Sequence, residues 1–266
     1  MSAGYIDEFI SFWRRCDLNA RPCAHPDDWP ILRQYGGQYI DEKPKGFNEF
    51  VASSRFGNFQ DNRLHLSLLP SPYCGDLRTA DIVVLLLNPG LGLTDYYSET
   101  CMPQFRHQLQ KMLAQDFTGM EFPFVFLDPK YCWHGGFHWW EQKLRDVTTI
   151  IARKKFHGRY LDALRSMSKR LASLELIPYH SSSFNAHRLI KKLPSVRAAK
   201  QFVRRTLKEI RDEKTIIVTR QVKSWELPGD TPNLIIYEGG HTRGASLGSK
   251  SRGGQAILER YGISGG

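Results

Sequence analysis

Six consecutive aliphatic residues, Ile82 to Leu87, run straight into the turn Asn88-Pro89-Gly90-Leu91-Gly92. Pro89 drives Asn88 toward an extended conformation and withholds an amide donor, while Gly90 and Gly92 permit positive φ or the close approach of a ligand's backbone or base. Such a turn presents the Asn88 carboxamide rigidly. A carboxamide cannot take a proton as a base at neutral pH, but its oxygen can orient a water for attack. In an open parallel sheet ligands bind at the carboxyl ends of the strands. The residues that follow the other apolar runs are also polar: Asp128, then Tyr179 and His180, Arg220, and Glu238 with His241. Strand ends meet solvent and are polar in any case, so each of these residues alone is weak evidence. Asp128 is the alternative for activating water, although its place before Pro129 equally suits a turn or a capping aspartate.

The elements that must position these groups read as α/β. The run at Asp81 to Asn88 is bounded as a buried central parallel strand would be, and weaker runs follow at Phe122 to Asp128, Leu174 to Pro178, Thr215 to Thr219 and Asn233 to Tyr237. Longer stretches between them carry helical stripes, one through Leu161, Leu164, Met167 and Leu171 and one through Val196, Phe202, Val203, Leu207 and Ile210. Ile6, Phe9, Ile10 and Trp13 fall at helical spacing and predict an opening amphipathic helix that docks on the main body. At 266 residues the chain is read as one domain, residues 1–266, with an N-terminal helical extension over about residues 1–63 and a basic Gly/Ser loop over 239–254. Trp139 and Trp140 are assigned to the core.

The chain holds 37 Lys and Arg against 27 Asp and Glu, a net charge of +10, which favours a polyanionic partner because each cation placed at a phosphate releases a counterion. It contains no run of about 18 apolar residues that could cross a bilayer and no signal-peptide pattern, so no membrane partner is expected and the expected location is the cytosol or nucleus. Five scattered cysteines without a C-x-x-C pair indicate neither a disulfide framework nor a metal centre. His134 and His138 have the spacing of two helical metal ligands, but Gly135 and Gly136 between them disfavour that helix, and no third ligand is evident. No metal and no cofactor are expected. A phosphate loop is absent from the sequence.

On the motifs Leu86-Leu87-Asn88-Pro89-Gly90, Phe137-His138-Trp139-Trp140 with Lys143 to Arg145, Glu175 to His180, and Gly240-His241-Thr242-Arg243-Gly244, the chain resembles the uracil-DNA glycosylase superfamily. The first motif is closest to that of the mismatch-specific thymine and uracil branch. The matches run in the family's order over roughly Leu64 to Leu247. The resemblance implies a three-layer α/β/α fold with a mostly parallel central sheet. It also implies a monofunctional, monomeric DNA glycosylase that takes double- or single-stranded DNA, flips out a modified or mismatched pyrimidine and leaves an abasic site. Asn88 would then orient the water and His241 would donate to the oxyanion of the departing base. Gly90, Gly92, Tyr96, Phe137, Tyr179 and His180 would surround the base, with Tyr96, Phe137 and Tyr179 as stacking faces. Arg243, Ser246, Lys250 and Arg252, with Ser249, would contact phosphates, and Leu247 would be the wedge.

Two departures qualify this. Thr242 stands where the family usually has proline, and the Gly-Gln-Asp-Pro-Tyr-His motif of the strict uracil enzymes is missing. Gly92 and Leu93 follow the turn in place of that Tyr-His pair, which moves the expected substrate from plain uracil toward a larger pyrimidine. That class extends to a bulky modified cytosine of phage DNA, which would make this a bacterial antiviral defence enzyme of the cytoplasm. Two other readings stay open: a non-catalytic nucleic-acid-binding module, and a nucleoside or nucleotide hydrolase, against which the extended cationic tail argues.

Overall fold

Where the chain reads as uninterrupted aliphatic residues it forms strands that pair in parallel, and the fold class is α/β. The structure is a computed structural model that describes residues 4–209, 213–229, 233–237 and 246–263. The strands are β1 Ile40–Asp41, β2 Leu64–His65, β3 Tyr73–Cys74, β4 Ile82–Leu86, β5 Leu171–Glu175, β6 Thr215–Val218 and β7 Leu234–Ile236. The α-helices are α1 Gly4–Arg14, α2 Trp29–Leu32, α3 Phe47–Ala52, α4 Asp95–Cys101, α5 Pro103–Leu113, α6 Gly135–Lys155, α7 Tyr160–Arg170, α8 Pro194–Glu209, α9 Val222–Trp225 and α10 Arg252–Arg260. Among the described residues no helix is long and apolar enough to cross a membrane.

The chain divides into two compact units, one of Met1–Tyr73, Leu87–Asp116 and Glu175–Val203, the other of Cys74–Leu86, Phe117–Leu174 and Arg204–Gly266. The second unit holds most of a five-stranded sheet of order β3-β5-β4-β6-β7. Ile82 faces Thr215 and Leu85 faces Val218 across β4 and β6, and every residue of both strands is buried. That burial is what an all-aliphatic strand requires. In the first unit, α1 buries Tyr5, Ile6, Phe9, Ile10 and Trp13, as its spacing predicts, and the Phe9 ring stacks on Phe202 at 4.7 Å. Ile210, at the end of the second predicted stripe, lies outside the described residues.

Five expectations change. Phe122 to Asp128 is no strand: Pro123 removes a ladder donor, and Val125–Leu127 closes into a 3₁₀ turn. The strand expected at Leu174 to Pro178 lies earlier, at Leu171–Glu175, so Leu171 ends the helical stripe as a strand residue. Leu161, the first member of that stripe, is exposed, and α7 buries Ala163, Leu164 and Met167 instead. The glycines expected to break a helix begin one, because His134 caps α6 by accepting from the Gly136 amide at 2.9 Å. Phe126 lies so close that a Cβ on Gly136 would meet its ring at 2.6 Å. Trp140 is core, whereas Trp139 is half-buried with the Lys143 ammonium 5.6 Å from its ring centre.

Candidate active site

The Asn88 turn belongs to the first unit, where it is laced to the segment that follows β5. The Ile177 amide donates to the Leu87 carbonyl at 2.8 Å, the Ser181 amide to Pro89 at 3.3 Å, and His180 Nδ1 to Gly90 at 2.8 Å. The Ser182 hydroxyl reaches the Leu91 carbonyl at 3.4 Å. Each such bond is worth about 1 kcal/mol net, so the turn is held along its whole length rather than by Pro89 alone.

The orientation of the Asn88 carboxamide follows from what surrounds it. Its Nδ2 lies 2.9 Å from the Pro89 carbonyl, 2.9 Å from Ser181 Oγ and 3.5 Å from the Tyr179 carbonyl. Two of these three partners are carbonyls, which only accept, so the NH₂ must face them and Oδ1 must point the other way. Oδ1 has no partner among the described residues and is not sealed from solvent. His180 is fixed by the same logic: a carbonyl at Nδ1 places the proton there, so the neutral ring offers Nε2 as an acceptor. An oriented acceptor on a braced turn, as Asn88 Oδ1 is, can position a water or the hydroxyl of a ligand.

Gly90 and Gly92 play different parts. Neither has a positive φ, which leaves close approach as the reason for a missing side chain. A Cβ on Gly90 would meet nothing within 4 Å, whereas one on Gly92 would lie 3.4 Å from Asp95 Oδ2, which already accepts the Gly92 amide. A side chain would meet open space at Gly90 and an ordinary contact with Asp95 at Gly92.

Compared with family models, curated proteins and solved structures, the chain matches none. What the site can do therefore rests on its own geometry.

Behind the turn lies a buried polar layer. Tyr179 is 1% exposed, with its hydroxyl donating to Asp28 Oδ2 at 2.7 Å and accepting from the His25 amide at 3.2 Å. Asp28 Oδ1 in turn accepts the Ser195 amide at 3.0 Å. Burial pushes both the Asp28 carboxyl and the Tyr179 phenol up. Tyr96 is fully buried, stacked on Phe50 at 4.5 Å and hydrogen-bonded to His65 Nδ1 at 2.9 Å. Neither tyrosine offers a face to a ligand, so both are corrected from stacking residues to core anchors. Their hydroxyls found partners far away in sequence.

Asp41, Asp61 and His65 each offer one ligand atom, all within 4.8 Å of one another. Arg55 Nε lies 2.6 Å from Asp41 Oδ2, and Arg63 Nη2 lies 2.8 Å from Asp61 Oδ2. Burial raises the Asp61 carboxyl, but hydrogen bonds from His65 and Arg63 outweigh it and hold the group well below the usual carboxylate range. The two guanidiniums already supply the positive charge a cation would bring, so the cluster works as an ion-pair network bracing β1 and β2.

The remaining candidates lie in the second unit or outside the described residues. Asp128 Oδ1 accepts the Lys130 amide at 3.0 Å and caps the turn Pro129–Tyr131, the structural alternative its position before proline allowed. Phe137 is half-buried in the first turn of α6. Leu247 is 1% exposed, and its Cδ2 would lie 3.1 Å from a Cβ on Gly253, so it packs inward and cannot be the surface wedge. Ser246 and Lys250 are exposed, and Arg252 is exposed with its guanidinium donating to the Ile236 carbonyl at 2.9 Å. Ser249 donates by amide and hydroxyl to Asp146. His241, Arg243 and Glu238 lie outside the described residues.

Ser181 was missed by sequence reasoning. It stands in a run of three serines directly after His180, and nothing in the spacing selects the one that receives the Asn88 amide.

Proposed function

We propose that this chain is a monofunctional DNA glycosylase of the uracil-DNA glycosylase type, built as three α/β/α layers. It would act as a monomer without metal or cofactor, excising a modified or mismatched pyrimidine from DNA. The observation that carries the reading is the Asn88 carboxamide, whose NH₂ is consumed by the protein so that Oδ1 is left as an acceptor with no partner among the described residues.

Hydrolysis of an N-glycosidic bond builds positive charge on the sugar and negative charge on the departing base. Asn88 Oδ1 accepts a hydrogen bond from water and aims the oxygen lone pair at C1′. The new C1′–O bond forms as the C1′–N bond breaks, and the bonding pair leaves on the base. A donor at the base carbonyl stabilises that charge, the role the family resemblance gives to His241. Asn88 takes no proton; the water's proton passes to solvent once positive charge has developed on the sugar. No lysine enters the reaction, so no strand break accompanies base loss. Gly92 and Leu93, in place of the Tyr-His pair of the strict uracil enzymes, favour a substrate larger than uracil, including the bulky modified cytosines of phage DNA.

The test is incubation with DNA containing uracil, mismatched thymine, or modified and glucosylated cytosines, with mass spectrometry of the free bases. Release of at least one base, with strands intact until alkali is added, is expected. No release from the whole panel would leave the turn as part of a non-catalytic binding module.

A further inference from the structure

Among the described residues six large hydrophobic side chains are exposed, and five of them, Val51, Phe56, Phe59, Leu93 and Tyr97, lie within residues 51–59 and 93–97 of the first unit. Phe59 is the extreme case. It is 62% exposed and has no ring partner among the described residues, whereas Phe56 packs edge-on against Phe50 at 5.6 Å. The loop that carries it is ordered by its own bonds: the Asn58 amide to Arg55, the Asp61 amide to Asn58, and the Gln60 amide to Asn58 Oδ1 at 3.1 Å. Arg55, bonded to Asp41, ties the loop to β1. A large ring held in water on a preorganised loop costs solvation and gives no packing in return, which marks it for a ligand.

The loop's other end touches the candidate site. The Ser183 amide donates to the Asp61 carbonyl at 2.9 Å, two residues beyond the serine that receives the Asn88 amide. From that point the chain turns strongly basic: between Glu175 and Glu209 there are eight Lys and Arg and no acidic residue. Arg188, Lys191 and Arg197 are exposed within this stretch and have no partner among the described residues. Cations in a stretch without acidic residues attract a polyanion, and an exposed aromatic face suits an unpaired base.

We infer that the first unit carries a track for single-stranded nucleic acid. Phe59 stacks on an unpaired base at one side of Ser181–Ser183, and Arg188, Lys191 and Arg197 hold the backbone phosphates at the other. Duplex DNA does not fit this description, because its base faces are already stacked. The inference deepens the glycosylase reading by naming the strand form it takes, but it concerns binding and needs no base release.

The test measures binding of the full chain to fluorescein-labelled oligo-dT, to a duplex of equal length, and to an abasic strand of equal length, by anisotropy. Oligo-dT should bind more tightly than either. Phe59→Ala should weaken oligo-dT binding about 5- to 150-fold and leave abasic-strand binding unchanged. The triple variant Arg188→Ala/Lys191→Ala/Arg197→Ala should flatten the salt dependence by about 2 in log–log slope, at about 0.7 per lost phosphate contact. Equal binding of oligo-dT by wild type and Phe59→Ala overturns the inference, as does a duplex that binds at least as tightly as the single strand. Phe59→Ala alters one exposed side chain, so the wild-type protein and that variant decide the question even where the triple variant misfolds. Base release without Phe59-dependent binding would refute the track and spare the glycosylase reading; Phe59-dependent binding without release would do the reverse.

Discussion

Replacing Asn88 by aspartate changes one NH₂ to an oxygen and probes the geometry directly. The new carboxylate oxygen would sit 2.9 Å from the Pro89 carbonyl and 3.5 Å from that of Tyr179, positions now filled by a donor. The Ser181 hydroxyl can turn to donate, so that contact survives. The two carbonyls cannot, and losing a donor to a half-buried acceptor costs about 1–3 kcal/mol. A proton on the aspartate would restore a donor, so the folded state favours the acid and raises its pKa above the unfolded value near 3.9. The sign follows. A carboxyl whose folded pKa is raised contributes its stability below the unfolded pKa and loses it as pH rises through the folded pKa. The stability gap between wild type and Asn88→Asp should therefore be smallest at about pH 4 and widen toward neutrality, reaching about 1–3 kcal/mol. Urea denaturation of both proteins across that range reads it, with no substrate required. A gap that stays constant, or narrows as pH rises, would mean that Nδ2 does not face the two carbonyls.

Three further outcomes follow from the same structure. Gly90→Ala should leave stability within about 0.5 kcal/mol, because its Cβ would meet nothing, yet slow base release if a ligand approaches there; a folded variant of full activity would remove Gly90 from the site. Tyr179→Phe deletes the donor to buried Asp28 and the acceptor of the His25 amide, so unfolding free energy should fall by about 1–3 kcal/mol; a loss under about 0.5 kcal/mol in urea titration would count against the anchor. Glu99, on α4, is pushed by burial from 4.5 up to about 8, against the pull of the Leu69 amide and Arg106. Its folded pKa is raised, so stability should decline between about pH 4.5 and 8 with a slope of up to about 1.4 kcal/mol per pH unit, and Glu99→Gln should flatten that slope; an unchanged slope would place the titration elsewhere.

The parts of the fold that were legible are those where burial on both faces leaves an unbroken aliphatic run, as in β4 and β6. The run at Phe122 to Asp128 misled because it is apolar for packing rather than for pairing, with Pro123 and the Asp128 cap turning it into a 3₁₀ segment. In the site, Asn88 was legible because Pro89 constrains its neighbour locally. Tyr96 and Tyr179 were not, since an aromatic residue near a turn or strand end looks the same whether its hydroxyl meets solvent or a buried partner. Their partners, His65 and Asp28, are 31 and 151 residues away. Leu247 misled for the same reason: a leucine in a Gly/Ser loop can face either way, and here Gly253 makes room for it below.

The most direct measurement compares Asn88→Ala with wild type in single-turnover base release and in DNA binding on the same substrate. Loss of the oriented acceptor should cut release at least about 100-fold while the dissociation constant changes little, because Oδ1 acts on the attacking water rather than in holding DNA. Release at the wild-type rate, or a fall in release matched by an equal fall in binding, would contradict the role assigned to Asn88.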